Sequence, residues 1–289
     1  MRPPRRFVQL DVFADRPGAG NALAVVIDAE DIDAQSMQAF ANWTNLSETT
    51  FLLPPTHPEA SYRVRIFTPR QELPFAGHPS VGSAHAALDA GLALPRDGRL
   101  VQECAAGLLP MRVDGEGAKR RIFVRAPQAR DVMLPVDPVL WGQAIEGLAL
   151  GALPAALIDN GPLWWLVELA DETAVRAMRP ALAAITRLTE STGAVGLAVF
   201  ARASSADYQL VVRAFCPGDG IPEDPVTGSA NAAIAAWLHQ NDALPSPHYT
   251  ASQGRELGRD GRVRVEVDAA GGVWVGGQTQ TVLHGTLEW

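Results

Sequence analysis

The sequence predicts an α+β protein of two pseudo-symmetric lobes, each a curled mixed β-sheet around a central apolar helix, and three observations carry that prediction. The first is a repeat. His78-Pro79-Ser80-Val81-Gly82-Ser83-Ala84-His85-Ala86-Ala87-Leu88 returns as Asp224-Pro225-Val226-Thr227-Gly228-Ser229-Ala230-Asn231-Ala232-Ala233-Ile234, 146 positions later in a chain of 289. A period of half the chain is too long for a solenoid unit and points to duplication of a whole lobe. The second is local: Arg65-Ile-Phe-Thr-Pro69 is echoed by Arg213-Ala-Phe-Cys-Pro217, so each copy reads as strand, Gly/Pro turn, then a Pro-led helix. The third is that the helices, predicted over 83–90 and 229–237, are Ala-rich and apolar on nearly every side, the pattern of a helix surrounded by protein.

Taken in order, Phe7 to Phe13 and Leu23 to Ile27 read as strands joined by the loop Asp15 to Asn21. Asp33 caps a helix that runs to Thr44 with Met37, Phe40 and Ala41 on one face, and it stops at Asn45. Thr49 to Leu53 follows as a strand, leaving Glu48 at the junction of helix and strand. In the second half Trp164 to Leu169 and Tyr208 to Phe215 read as strands, and Val263 to Val267 with Val273 to Val275 as a hairpin around Gly271-Gly272. The Gly- and charge-rich stretch Asp114 to Lys119 is the expected boundary, giving lobes over 1–117 and 118–278, with the last strand, 279–289, returning to the first.

Composition narrows the function. The chain is 47% apolar with a net charge of −8, and its basic residues are dispersed apart from Arg2, Arg5, Arg6 and Lys119-Arg120-Arg121. No basic stripe supports nucleic-acid binding. The longest weakly polar stretch, Gly147 to Ile158, is far shorter than the ~20 residues a membrane span needs. The basic opening is followed by Phe7 to Phe13, which Asp11 interrupts, so it lacks a signal core; a soluble cytoplasmic protein is expected. Cys104 and Cys216 have no metal-ligand spacing, and Gly18-Ala-Gly20 lacks the third glycine of a dinucleotide fingerprint. Neither metal nor other cofactor is expected.

The repeat also singles out residues. Pro79 and Pro225 suit the first helical position, which places His78 and Asp224 at the two N-caps, where free N–H groups and partial positive charge favour a carboxylate or phosphate. A pseudo-twofold arrangement would turn both helix ends to one cleft. Asp224 followed by proline is also an ordinary cap pair, and Ser229, matched by Ser83, is also a small residue suited to tight packing. Histidine is a poor cap, so His78 is better explained by ligand contact or proton chemistry.

With Asp11-Val-Phe and Gly20-Asn21, Asn45-Leu-Ser-Glu-Thr49, Phe67-Thr-Pro, Glu72-Leu-Pro-Phe-Ala-Gly-His-Pro79, Pro222-Glu-Asp-Pro-Val-Thr-Gly-Ser-Ala230, Gln253-Gly254 and Val273-Trp-Val-Gly-Gly277, the chain resembles the PhzF-like phenazine-biosynthesis isomerases nearly end to end. Ala22 departs from the proline usual in that family after Gly-Asn. The resemblance implies the diaminopimelate epimerase-like fold, a homodimer, and a cofactor-independent isomerase similar to trans-2,3-dihydro-3-hydroxyanthranilate isomerase. It implies Glu48 as the proton-transferring acid/base, His78 and Asp224 as its catalytic companions, and Gly77, Gly228 and Ser229 around a small carboxylate substrate. Racemases of this fold place a thiol in each half; Phe75-Ala-Gly-His78 and Pro222-Glu-Asp224 carry none, so a two-thiol racemisation is not expected. The competing expectation is a non-catalytic ligand-binding or protein-interaction member of the same fold. Substrate specificity would lie in the loops Asp15 to Asn21, Asn160 to Trp165 and Gly218 to Ile221.

Overall fold

The computed structural model describes residues 4–289; Arg2, counted above among the basic residues, lies outside them. The chain divides into two compact units, Met1–Arg125 with Gly276–Trp289, and Ala126–Val275. The first unit contains β1 (Arg5–Val12), β2 (Asn21–Val26), α1 (Ala34–Thr44), β3 (Glu48–Leu53), β4 (Tyr62–Phe67), β5 (Glu72–Leu73), α2 (Gly77–Asp89), β6 (Arg99–Cys104), β7 (Gly107–Asp114) and β8 (Arg121–Arg125). The second contains β9 (Arg130–Asp131), α3 (Pro138–Ala144), β10 (Ala156–Asp159), β11 (Leu163–Glu168), α4 (Glu172–Ala177), α5 (Leu182–Thr192), β12 (Gly196–Arg202), β13 (Leu210–Cys216), β14 (Ile221–Asp224), α6 (Gly228–Gln240), β15 (His248–Gln253) and β16 (Gly261–Val267). At the end of β17 (Val273–Gly277) the chain returns to the first unit, where β18 (Thr279–Leu287) pairs antiparallel with β1. The Gly-rich stretch 114–119 is the connection between β7 and β8.

Both units use one plan. In the first, β1–β2 is antiparallel, β2–β3 parallel across α1, β3–β4 antiparallel, β4–β6 parallel across α2, and β6–β7–β8 antiparallel. The second repeats the sequence: β10–β11 antiparallel, β11–β12 parallel across α4 and α5, β12–β13 antiparallel, β13–β15 parallel across α6, and β15–β16 antiparallel. Parallel neighbours need a crossover, and a helix supplies it. α2 packs against β1, β2, β3, β4, β8 and β18, so the first sheet curls around it. Accordingly Gly77 through Ala87 are all buried, and along α6 every residue from Ala230 to Ala236 is buried. Helices α1 and α5 cover the outer faces, packing Met37, Phe40 and Ala41 against Phe51 and Phe67, and Ile185 and Leu188 against Val199 and Phe215. Both folds of helix on sheet remove apolar area from water at roughly 25 cal/mol per Å².

The structure corrects the register of the repeat. α2 and α6 start 151 positions apart rather than 146, so Pro74-x-x-Gly77 matches Pro225-x-x-Gly228 and His78 matches Ser229. Two ion pairs fix the alignment: Arg65 Nε and Nη2 grip Glu72, both at 2.7 Å, as Arg213 Nε and Nη2 grip Glu223, both at 2.9 Å. The second loop is three residues longer, counted from Phe67 to Glu72 and from Phe215 to Glu223. An ungapped comparison of Ala-rich helices hides that insertion, because alanine matches alanine in several registers.

The helix starts move with it. The N-caps are Ala76 and Thr227, so His78 and Pro79 lie inside the first turn of α2, whereas Asp224 ends β14 and Pro225 lies in the turn before α6. Gly-His-Pro reads as a breaker, yet the first-turn N–H groups have no intrahelical partner, so proline is tolerated there.

Candidate active site

The expected residues fall into two clusters, one in each unit. In the first, α1 begins on the Asp33 cap and ends on Asn45, whose φ of 54° is the left-handed conformation that turns the chain back. Three residues later Glu48 opens β3, paired with Leu23 of β2. Its neighbours are pinned: Thr44 and Thr49 hydroxyls lie 2.9 Å apart, and Ser47 Oγ donates to Asn21 Oδ1 at 3.3 Å. The Glu48 side chain is 15% exposed, and its Oε2 stands 3.4 Å from His78 Nε2, whose side chain is 5% exposed.

Burial pushes the His78 imidazole down to about 3, against a hydrogen bond with the Ala22 backbone that favours the charged form. The ring is therefore neutral at physiological pH. An imidazole donates to a carbonyl through N–H, so the bond to Ala22 fixes one nitrogen as the donor and leaves the other with a lone pair. Gly77 is the first residue of α2, and no side chain caps that helix.

In the second cluster Asp224 is buried and its Oδ2 accepts from the Thr227 hydroxyl at 2.5 Å. Gly228 opens α6, which likewise has no side-chain cap. Ser229 is held from two directions: Trp164 Nε1 donates to its Oγ at 3.2 Å, and Asn160 Nδ2 donates to its carbonyl at 2.9 Å. By contrast α1, α3 and α4 begin on the capping aspartates Asp33, Asp137 and Asp171. The two buried central helices thus keep first-turn N–H groups that no cap side chain uses, the feature that suits a helix end to an anion.

The two halves differ most at Glu48. Gly193, at φ 70°, ends α5 as Asn45 ends α1, and three residues later Gly196 opens β12, paired with Trp164 as Glu48 is with Leu23. A Cβ at Gly196 would lie 2.5 Å from the Phe215 carbonyl oxygen and 2.6 Å from Trp164 Cζ3. An indole therefore crowds the place in the second unit that a carboxylate takes in the first.

The structure brings Glu48 and His78 together, and joins Asp224 to Thr227 and Ser229 to Trp164. Thr227, Gln253, Trp164 and the Ala22 backbone were not singled out by sequence reasoning. Thr227 and Gln253 stand within quoted motifs, and Asn160 and Trp164 within a loop named for specificity, but nothing in the sequence says which side chains they reach. Among the described residues no group of three or more His, Cys, Asp or Glu side chains is placed to hold a metal ion, and no helix is long and apolar enough to cross a membrane.

The two-unit α+β fold with a central helix in each half is the epimerase-like fold, and relatives that are themselves named isomerases make this chain an isomerase. Residues 10–285 match the family described as PhzC-PhzF, phenazine biosynthesis-like protein, and the chain belongs to that family. It is 34% identical to antisense-enhancing sequence 1 of Schizosaccharomyces pombe, over 96% of this chain and 97% of that one. It is 33% identical to trans-2,3-dihydro-3-hydroxyanthranilate isomerase of Pseudomonas aeruginosa, over 92% and 91%. Among solved structures, a predicted epimerase from Pseudomonas aeruginosa superposes with a TM-score of 0.80 at 31% identity, covering 98% and 99% of the two chains. A probable proline racemase from Agrobacterium radiobacter shares the fold, with a TM-score of 0.70 at 15% identity over 98% and 93%.

Proposed function

We propose that this isomerase shifts a proton, and with it a double bond, within a small unsaturated or hydroxylated carboxylate of the trans-2,3-dihydro-3-hydroxyanthranilate type. The observation that carries the reading is Glu48 set at a helix–strand junction, 3.4 Å from a buried histidine kept neutral. A carboxylate so placed removes a proton from a saturated carbon as the electron pair enters the conjugated system; its conjugate acid then delivers that proton to another carbon. Atoms and charge balance without a co-reactant. Neutral His78 orients the reacting groups without competing as an acid, and Asp224 orients a substrate hydroxyl or amine. The first-turn N–H groups around Gly77, Gly228 and Ser229 are assigned to the substrate carboxylate.

The same reading takes the chain as a cytoplasmic homodimer without nucleic-acid, membrane, metal or cofactor requirement. Resemblance supports the dimer, and the dispersed basic residues in a chain of net charge −8 support the absence of a nucleic-acid partner.

The experiment is Glu48→Gln, which keeps shape but removes the base. With trans-2,3-dihydro-3-hydroxyanthranilate in heavy water, followed by mass spectrometry, isomerisation and deuterium incorporation fall by about 10²–10⁴, the usual loss for a general acid/base. Equal incorporation by variant and parent removes Glu48 from the role.

A further inference from the structure

The turn between β14 and α6 is held by a hydrogen-bond network that the fold alone does not demand. Gln253, the last residue of β15, is fully buried and its amide makes four bonds. Its Oε1 accepts from the Thr227 N–H and from Asn231 Nδ2, both at 3.0 Å, while Nε2 donates to the Asp224 carbonyl at 3.1 Å and to Thr227 Oγ1 at 2.9 Å. Since the Thr227 oxygen already accepts from Gln253, its own proton is free for Asp224 Oδ2, 2.5 Å away, the length of an O–H···O⁻ bond. A threonine at an N-cap ordinarily turns its oxygen to a first-turn N–H; Thr227 does not. Gly254, at φ 95°, lets the end of β15 lie against this turn, for a Cβ there would be 2.5 Å from the Pro225 carbonyl oxygen.

The first unit supplies an internal control. Gln102, matched to Gln253, is also fully buried, and its Nε2 donates to Ser80 Oγ at 2.9 Å, where Ser80 matches Asn231. One glutamine tying a strand to the central helix is what both halves of the fold use. In the first unit, however, Leu73 and Ala76 stand where the second has Asp224 and Thr227, and the Gln102 Oε1 accepts from the Tyr62 hydroxyl at 3.0 Å, so the tie reaches no carboxylate on that side. The extension to a carboxylate occurs once, at the acid. The other acid of β14, Glu223, is engaged by Arg213 and is not part of the network.

Resting on the reaction proposed above, we infer that Thr227 and Gln253 are positioning residues: Gln253 fixes the Thr227 rotamer, and the Thr227 hydroxyl holds the Asp224 carboxylate in one orientation for the substrate.

The test uses the full chain labelled with carbon-13 at aspartate carboxyls, with Asp224→Asn to assign the Asp224 signal. Thr227→Val keeps the shape and removes the hydroxyl; the Asp224 midpoint rises by about one to two units, the worth of one hydrogen bond to a charged group, and Thr227→Ser restores it. Gln253→Met raises it as well, whereas Gln102→Met weakens folding without moving Asp224. In turnover, Thr227→Val lowers kcat by roughly 10- to 100-fold with KM nearly unchanged, as expected when a group acting in the transition state is misoriented. A folded Thr227→Val protein with the parental midpoint overturns the inference, as does an equal shift from Gln102→Met. Should the titrations behave as stated while the parent turns over no dihydro-hydroxyanthranilate, the clamp on Asp224 stands and the proposed function fails.

Discussion

His78 and His85 make stability depend on pH in a way that can be worked from their surroundings. Burial pushes His78 to about 3 from 6.5. Burial likewise pushes His85 to about 4, with the Asp89 carboxylate opposing and Arg120, whose Nη2 lies 2.9 Å from His85 Nδ1, adding to the fall. The unfolded chain binds a proton at each near pH 6.5, and the folded chain does not until pH 3 to 4. Below pH 6.5 the unfolded state therefore holds more protons, and stability falls with pH until the folded-state values are reached. At pH 5 the loss is ~2 kcal/mol for each histidine, out of a typical 5–15 for a whole domain. Urea unfolding at pH 7.5 and 5.0 measures it. His78→Gln changes the absolute stability, but its drop between the two pH values is smaller than the parent's by ~2 kcal/mol. An unchanged drop, or a His78 ring signal that titrates near 6.5 in the folded protein, refutes both the linkage and the neutral imidazole assigned to the site.

Two further expectations test the packing. Gly196→Ala forces a methyl against the Phe215 carbonyl and the Trp164 ring and costs ~1–3 kcal/mol, whereas Gly142→Ala, with nothing within 4 Å of the new Cβ, is neutral or slightly stabilising in thermal unfolding; equal effects would deny the crowding. Glu223→Gln leaves the Arg213 charge with only the Val175 and Met178 carbonyls, in a pair whose side chains are 6% and 10% exposed, and costs ~3 kcal/mol, while Glu72→Gln, in the 30% and 34% exposed pair with Arg65, costs under ~1 kcal/mol. Denaturant midpoints that do not separate the two variants would remove burial as the reason.

What could be read from the sequence was what local chemistry decides. Asp33, Asn45 and the apolar face of α1 are cap and period signals, so the helix and the Glu48 junction after it were legible. The starts of α2 and α6 were not, because Gly-His-Pro and Asp-Pro look alike in sequence while one is drawn into the helix and the other is taken up by β14. The correct repeat register was available in Arg65…Glu72 and Arg213…Glu223, but only to a comparison that admits the three-residue insertion. The tie made by Gln102 and by Gln253 was not legible, although Gln253 stands in a quoted motif, because a polar residue in a strand acquires such a role only when a helix far along the chain packs beside it. The same holds for Trp164, which reads as an ordinary apolar strand residue.

Once the halves are aligned on their own geometry, the matched pairs sort by purpose. Arginine–glutamate grips and the glutamine ties recur, as do left-handed ends of α1 and α5, because each half needs them to fold. The candidate acid/base residues do not recur: Glu48 is matched by Gly196, His78 by Ser229, and Asp224 by Leu73. A reaction that used the Glu48 position of both halves, taking a proton with one and returning it with the other, would need a second carboxylate at Gly196. Here the position matched to Glu48 lacks room even for a methyl group, since Trp164 and the Phe215 carbonyl close it. In the reaction proposed above, a proton removed by Glu48 is returned by Glu48. That reading favours a shift along the substrate over inversion at a single carbon, and the crowding at Gly196 comes from the Phe215 backbone and Cys216 as well as from Trp164, so removal of the indole alone would not open the position to a second carboxylate.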